Sequence, residues 1–319
     1  PKGRRFKSYS RNHFKTPTEF IQWAFFLENS QMEISRVEAQ SQCIVQPYAW
    51  GDAVWHVWSA RQSAQQGTEA SNIKATSHAT PRPLVLLHGG SGSWTHWLRN
   101  VEHLAQHRAV WALDIPGFGD SSLPSGVSDA DGLVPYLAEI LAHSFNGKAV
   151  DVMGFSFGGM TAGLVAAEYP NLIRQLILVG VPGLGLFGKE LPMRGMTPDM
   201  DEEAQRKVHR HNLNAMMFAH PDSVTREVID LQQANVARDR LRRRRIARTN
   251  VLARASTHWT CPVHGVWGAC DALYQDTLSQ VPNVLPQMSS FHVVPEAGHW
   301  VMFERPDEFH ASVDPLLQC

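Results

Sequence analysis

The sequence predicts an α/β fold: a mostly parallel central sheet flanked by helices, with an inserted helical cap. Three observations carry that expectation. First, short apolar runs alternate with helical stretches, at Leu84 to Leu87, Ala109 to Leu113, Ala149 to Met153, Leu176 to Val179, Val263 to Trp267 and Phe291 to Val294. This is the pattern of buried parallel strands joined by crossover helices. Second, the pattern breaks between Val181 and Cys261, where roughly eighty residues of helical, charge-rich sequence are far too many for an ordinary connection. Third, the run IVQPYAWGDAVWHVW has two strand-like halves around Trp50-Gly51, the signature of an antiparallel hairpin ahead of the parallel part.

The elements divide the 319 residues into one core with additions. Residues 1–43 form an extension with an amphipathic helix from Thr18 to about Glu28, read as a packing arm. Residues 44–182 and 261–319 form the core, and residues 183–260 the cap. The stretch Arg61 to Pro81 is rich in Ser, Ala, Gln and Thr and reads as a loop. Pro306 opens a terminal helix through Leu317.

Composition bounds the partners. A formal net charge of -1 and 18% charged residues give no global field for nucleic acid or an anionic membrane. The expected partner is a small molecule, the expected compartment the cytoplasm, and a homo-oligomer is compatible with a sequence that leaves the state open. Cys43, Cys261, Cys270 and Cys319 form no CxxC pair and read as reduced thiols. The apolar patch Phe20 to Leu27 is short and carries Gln22, so neither a secretory signal nor a membrane span is expected.

The chemistry is concentrated in four segments. VDVMGFSFGGM sets Gly154, Ser156 and Gly158 in a G-x-S-x-G pattern between a buried strand and a helical run. There a serine sits on a sharp turn, and the glycines leave room that other residues would fill. A serine hydroxyl needs a base, and VVPEAGHWVMFERP places His299 after the last strand candidate. A carboxylate must then orient the imidazole. HGVWGACD ends in Asp271, the earlier loop Val179 to Gly188 holds no acid, and Asp276 is the weaker alternative. LLHGGSGSW supplies the second oxyanion donor, so the amides of Gly90 and Phe157 are the expected pair, with Ser91 one residue away. His88 reads as a structural residue fixing that loop. Ser91, Trp94, Trp300 and Gln232 are the substrate-binding candidates, and Trp94, Trp97, Trp267 and Trp300 suggest an aromatic-walled pocket.

Other features have plainer readings. ARDRLRRRRIAR, Ala237 to Arg248, is the one dense basic block and reads as a solvated cap helix. A minority reading turns one of its arginines inward to bind an acidic substrate such as a half-ester. His103 and His107 have metal-pair spacing without the accompanying Glu, so no metal is expected. Met193, Met196, Met200, Met216, Met217 and Phe218 give the cap a soft lining.

Together LLHGGSGSW, LDIPGFGDSS, GFSFGGM, GVWGACD and EAGHW resemble the α/β-hydrolase superfamily, from about Ile44 to the C-terminus. Ser, Asp, His is that family's chain order, and the resemblance implies a helical cap after the sixth strand. HGG, WLRNV and HPDSVTREVIDL are similar to the meta-cleavage-product carbon–carbon hydrolases and related esterases. Those hydrolases hold the dienoate carboxylate with a cap arginine, where this sequence has Gln232 or Gln233. Losing that fork shifts the expectation toward a serine esterase acting through an acyl-enzyme without cofactor. Carbon–carbon hydrolysis is the alternative, and a perhydrolase side activity ranks third. Ser156 argues against haloalkane dehalogenases and epoxide hydrolases, which resemble this chain but carry an aspartate there. A non-catalytic binding protein on the same fold is disfavoured by the intact Ser, His and Asp set.

Overall fold

The computed structural model describes residues 33–60, 82–186, 188–241 and 243–318. The expected helix from Thr18 to Glu28, the loop Arg61 to Pro81 and Cys319 lie outside the described residues. The strands are β1 (Gln42–Tyr48), β2 (Gly51–Trp58), β3 (Leu84–Leu87), β4 (Val110–Asp114), β5 (Val150–Phe155), β6 (Ile173–Val179), β7 (Val263–Gly268) and β8 (Met288–Val294). They form one sheet in the order β1-β2-β4-β3-β5-β6-β7-β8. β2 pairs antiparallel with β1 and β4, and every other pairing is parallel.

Around the sheet stand helix α1 over residues 33–39, α2 (Val101–Leu104), α3 (Ala130–Ser144), α4 (Phe157–Glu168), α5 (Glu202–Met216), α6 (Arg226–Ala237), α7 (Val251–Ala255), α8 (Val281–Val284), α9 (Val301–Glu304) and α10 (Pro306–Leu317). Alternation along the strands splits the core in two. Val85 and Leu87 face a cluster with α3 and α4, while Leu84 and Leu86 face one with Trp97, Val301 and Phe309, as the two-residue period of a strand requires. β5 is buried at every position.

Two strands start earlier than their apolar runs. Ile173 opens β6 because the polar residues after it have partners: Arg174 grips the buried Asp151 at 2.6 Å and the Gln175 side chain donates to the Leu316 carbonyl at 2.9 Å. β8 is an edge strand and tolerates Ser289 and Ser290.

The basic block departs from the expected helix. α6 ends at Ala237, and the described residues from Arg238 to Arg245 are not helical. Tertiary hydrogen bonds override helix propensity here. The Arg240 N–H donates to the Gly117 carbonyl at 2.8 Å, its guanidinium donates to carbonyls of Phe118, Gly119 and Ser121, and Leu241 is buried. Asp129, which caps α3 through the Ala130 N–H, also accepts from the backbone N–H groups of Arg245 and Ile246.

The order β4-β3-β5 is the point where the chain reverses its direction of travel across the sheet, and crevices at such points bind ligands at the carboxyl ends of the strands. Leu87 lies opposite Gly154, so the loop after β3 and the turn after β5 meet in that crevice.

Buried histidines make the fold sensitive to acid. Burial pushes His56, His88 and His310 down to about 4 from 6.5. The unfolded chain takes up their protons near 6.5 and the folded chain only near 4, so their contribution is intact above 6.5 and is lost as pH falls through that window. Burial also lowers His96 and His209, and it raises Asp114, which acts in the opposite sense, one group against five buried histidines. Urea titrations stepped across the window are expected to show unfolding free energy falling by more than about 1.4 kcal/mol per pH unit, the slope of a single proton. A flat profile would show that these rings protonate in place.

Candidate active site

Ser156 stands between β5 and α4 with φ 49° and ψ −118°, a region that costs a non-glycine residue about 1–3 kcal/mol and persists only where its surroundings impose it. The surroundings are backbone. A Cβ on Gly158 would lie 2.3 Å from the His88 carbonyl oxygen, and one on Gly154 would lie 2.4 Å from Gly159 Cα. Gly158 therefore lets the start of α4 press against the end of β3, and Gly154 lets it press against β5.

His299 lies on the loop between β8 and α9, and Asp271 follows β7. The structure brings both to Ser156. His299 Nε2 is 2.9 Å from Ser156 Oγ, and His299 Nδ1 is 2.8 Å from Asp271 Oδ2. Asp271 Oδ1 accepts the Leu273 N–H at 2.9 Å. Asp271 and His299 are buried, at 1% and 2% exposure, so water competes little for this chain of hydrogen bonds. Asp276, the weaker candidate, is exposed and pairs with Lys189 at 3.7 Å.

Gly89 and Gly90 reach the site from the loop after β3. A Cβ on Gly89 would lie 3.3 Å from Ser156 Cβ. Phe157 opens α4 directly after Ser156, and N–H groups in the first turn of a helix have no intrahelical acceptor. Two histidines set the loop. The Ile115 N–H donates to His88 Nε2 at 3.0 Å, so Nδ1 carries the proton and donates to the Gly89 carbonyl at 2.8 Å. The Gly89 N–H donates to His96 Nδ1 at 3.1 Å, and burial pushes His96 well down. Both rings are neutral, as acceptors must be.

The tryptophans are placed differently from the expected pocket wall. Trp97, Trp267 and Trp300 have no exposed surface and Trp94 only 3%. The Trp94 ring packs against His56 and Trp58, and the Trp94 backbone N–H donates to Asp114. Trp300 lies under the site: it packs on His96 and Phe303, and its indole donates to the His96 carbonyl at 3.0 Å. Rings of this size contribute most when fully desolvated in the core. Met217 and Phe218 are likewise buried, whereas Met193 and Met196 are exposed. His103 bonds Asp314 at 2.9 Å and stacks on His310. Gln232 lies on α6, and its Oε1 is buried without a hydrogen-bond partner.

Two groups were not legible in the sequence, and a third was anticipated only by the minority reading of an inward-turned arginine. Gly180, at φ 55°, leaves space in which a Cβ would come within 3.3 Å of both Asp271 Oδ2 and His299 Nδ1. Glu304 accepts from the N–H groups of Gly298, Ala219 and His220 at 2.7 to 3.0 Å, tying the His299 loop to the end of α5. Arg244 turns inward: its guanidinium contacts Asp239 and Ser91, and a Cβ on Gly90 would lie 2.7 Å from its Nε. A glycine in a Gly-rich loop, a lone Glu and one arginine among the seven of Ala237 to Arg248 carry no local signal of which distant group each one meets.

Residues 84–312 match the Alpha/beta hydrolase family. The chain belongs to that family and is a hydrolase. A 2-hydroxy-6-oxo-2,4-heptadienoate hydrolase of Pseudomonas putida is 28% identical over 268 residues, covering 78% of this chain and 94% of the relative. Among solved structures, a membrane phospholipase A described as a bacterial virulence factor superposes with a TM-score of 0.66 at 20% identity, covering 95% of this chain and 96% of its own. The naproxen esterase of Bacillus subtilis gives 0.64 at 15% identity, covering 91% and 97%. These two structures share the fold. Among the described residues no helix is long and apolar enough to cross a membrane.

Two substitutions test the geometry. Gly158→Ala sets a methyl against the His88 carbonyl, and thermal or urea unfolding is expected to show a loss of about 1–3 kcal/mol or more. Glu304→Ala strands the N–H of the buried Gly298, with a loss of about 1–3 kcal/mol and a fall in turnover as the His299 loop loosens. Wild-type stability in either variant would mean that the backbone relaxes around the change.

Proposed function

We propose that the chain is a serine hydrolase that cleaves a carboxylic ester of a small, aromatic or acidic molecule through an acyl-enzyme. The observation that carries this reading is the continuous hydrogen-bonded line from Ser156 Oγ through the two ring nitrogens of His299 to Asp271, at 2.9 and 2.8 Å, at the carboxyl end of the sheet.

Ser156 Oγ attacks the carbonyl carbon while His299 Nε2 takes its proton. Asp271 holds the tautomer with the proton on Nδ1 and stabilises the imidazolium. The amides of Gly90 and Phe157 receive the negative charge that develops on the carbonyl oxygen. The tetrahedral intermediate collapses, the C–O bond breaks, and the leaving alcohol departs with the proton from Nε2. Water then attacks the acyl carbon, His299 takes its proton, and Ser156 is released with it as the acid leaves. Residues 183–260 act as the lid: they contribute α5 and α6, and α6 reaches the loop after β3 through Asn235, which bonds Ser93 and Thr95.

Carbon–carbon hydrolysis is the second reading, favoured by the similarity to the heptadienoate hydrolase over most of both chains. A parallel assay separates the two, using p-nitrophenyl esters, aromatic half-esters and a meta-cleavage dienoate with wild type, Ser156→Ala and Asp271→Asn. Ester turnover is expected to dominate, falling several orders of magnitude in Ser156→Ala and about ten-thousandfold in Asp271→Asn. Rapid dienoate cleavage with slow ester turnover would move the assignment to the carbon–carbon reading, and Ser156-independent activity would remove both.

A further inference from the structure

Arg244 reaches the proposed oxyanion loop through a contact that the ester mechanism does not use. It comes from the segment between β6 and β7, yet it lies against Gly90 so closely that a Cβ there would meet its Nε at 2.7 Å and its Cζ at 3.1 Å. Its Cζ is 5.5 Å from the centre of the Phe118 ring and 5.7 Å from that of Phe157. These rings give the guanidinium apolar walls, where a charge is screened less than at an open surface.

The side chain is held in place. Nη2 donates to Asp239 Oδ2 and, at 3.2 Å, to Ser91 Oγ. Asp239 is buried and also accepts from Ser91 Oγ at 2.7 Å and from the Leu241 N–H at 3.0 Å. Three donors therefore satisfy the carboxylate, and Arg244 is oriented by it without being used up. Ser91 itself sits at φ 51°, so the loop bends to present its hydroxyl to this pair. The Arg244 Nε–H is buried and without a hydrogen-bond partner. A buried cationic donor left unmade is costly, and an arginine so oriented suits a carboxylate.

We propose that Arg244 binds a carboxylate on the substrate close to the scissile carbonyl, so that the preferred ester is a monoester of a short dicarboxylic acid. The substrate carbonyl oxygen rests on the Gly90 amide, and the anionic oxygen accepts from Arg244 Nε on the other side of that residue. This site differs from the α6 position held by Gln232 and is assembled from Gly90 and Ser91 on one side and Asp239 and Arg244 on the other. The proposal rests on the ester reading and specifies its substrate class.

Two measurements test it separately from that reading. In the Ser156→Ala background, calorimetry compares glutaric acid monoanilide with its neutral isostere valeranilide. The acid is expected to bind about tenfold or more tightly, and Arg244→Gln to erase that preference. Arg243→Gln, a change at an exposed neighbour, is expected to keep it. In the Ser156 enzyme, the ratio of kcat/KM for p-nitrophenyl hemiglutarate over p-nitrophenyl valerate is expected to fall about tenfold or more in Arg244→Gln. Equal affinities for the two anilides, a preference that survives Arg244→Gln, or an equal loss of kcat/KM on both esters would overturn the assignment. Anilide discrimination with no Ser156-dependent ester turnover would instead keep the carboxylate site and remove the ester reading.

Discussion

The distance between the loop after β3 and the turn after β5 is set where backbone meets backbone. Gly158 lies under the His88 carbonyl and Gly154 under Gly159, each with no room for even one carbon more. Because interiors are packed as densely as molecular crystals, such a contact transmits position with little slack. His88 and His96 then fix Gly89 from both sides through its carbonyl and its N–H. The serine, the glycine loop and the first turn of α4 thereby form one rigid unit, and the parallel pairing of β3 with β5 holds it at the end of the sheet.

The segment between β6 and β7 is joined to that unit by polar ties as well as by apolar packing. Glu304 collects N–H groups on the His299 side, Asn235 bonds Ser93 and Thr95, Asp129 receives the backbone at Arg245 and Ile246, and Arg240 satisfies carbonyls after Phe118. Hydrogen bonds of this kind are directional, so they select one placement among the many that hydrophobic contact would allow.

The strands were legible because burial on both faces writes continuous apolar runs, and the Ser156 turn because its glycines are adjacent in sequence. His299 and Asp271 were legible by position, each following a strand, and the structure sets both within hydrogen-bond reach. What local pattern does not encode is contact between distant segments. The arginine block reads as a helix by composition, yet carbonyls of Gly117 to Ser121 and the carboxylate of Asp129 compete for its donors and win. The tryptophans beside the motifs suggested a lining, but their size directs them into the core, where Trp300 supports the histidine loop from below.

Ser156 illustrates a tension between persistence and purpose. At φ 49° the backbone is one that glycine occupies more readily than serine. Selection for heat tolerance alone would therefore press toward glycine at this position and would erase the hydroxyl as it did so. The role proposed for the hydroxyl therefore opposes the preference of the backbone, and this turn is a place where stabilisation of the protein should leave the sequence untouched.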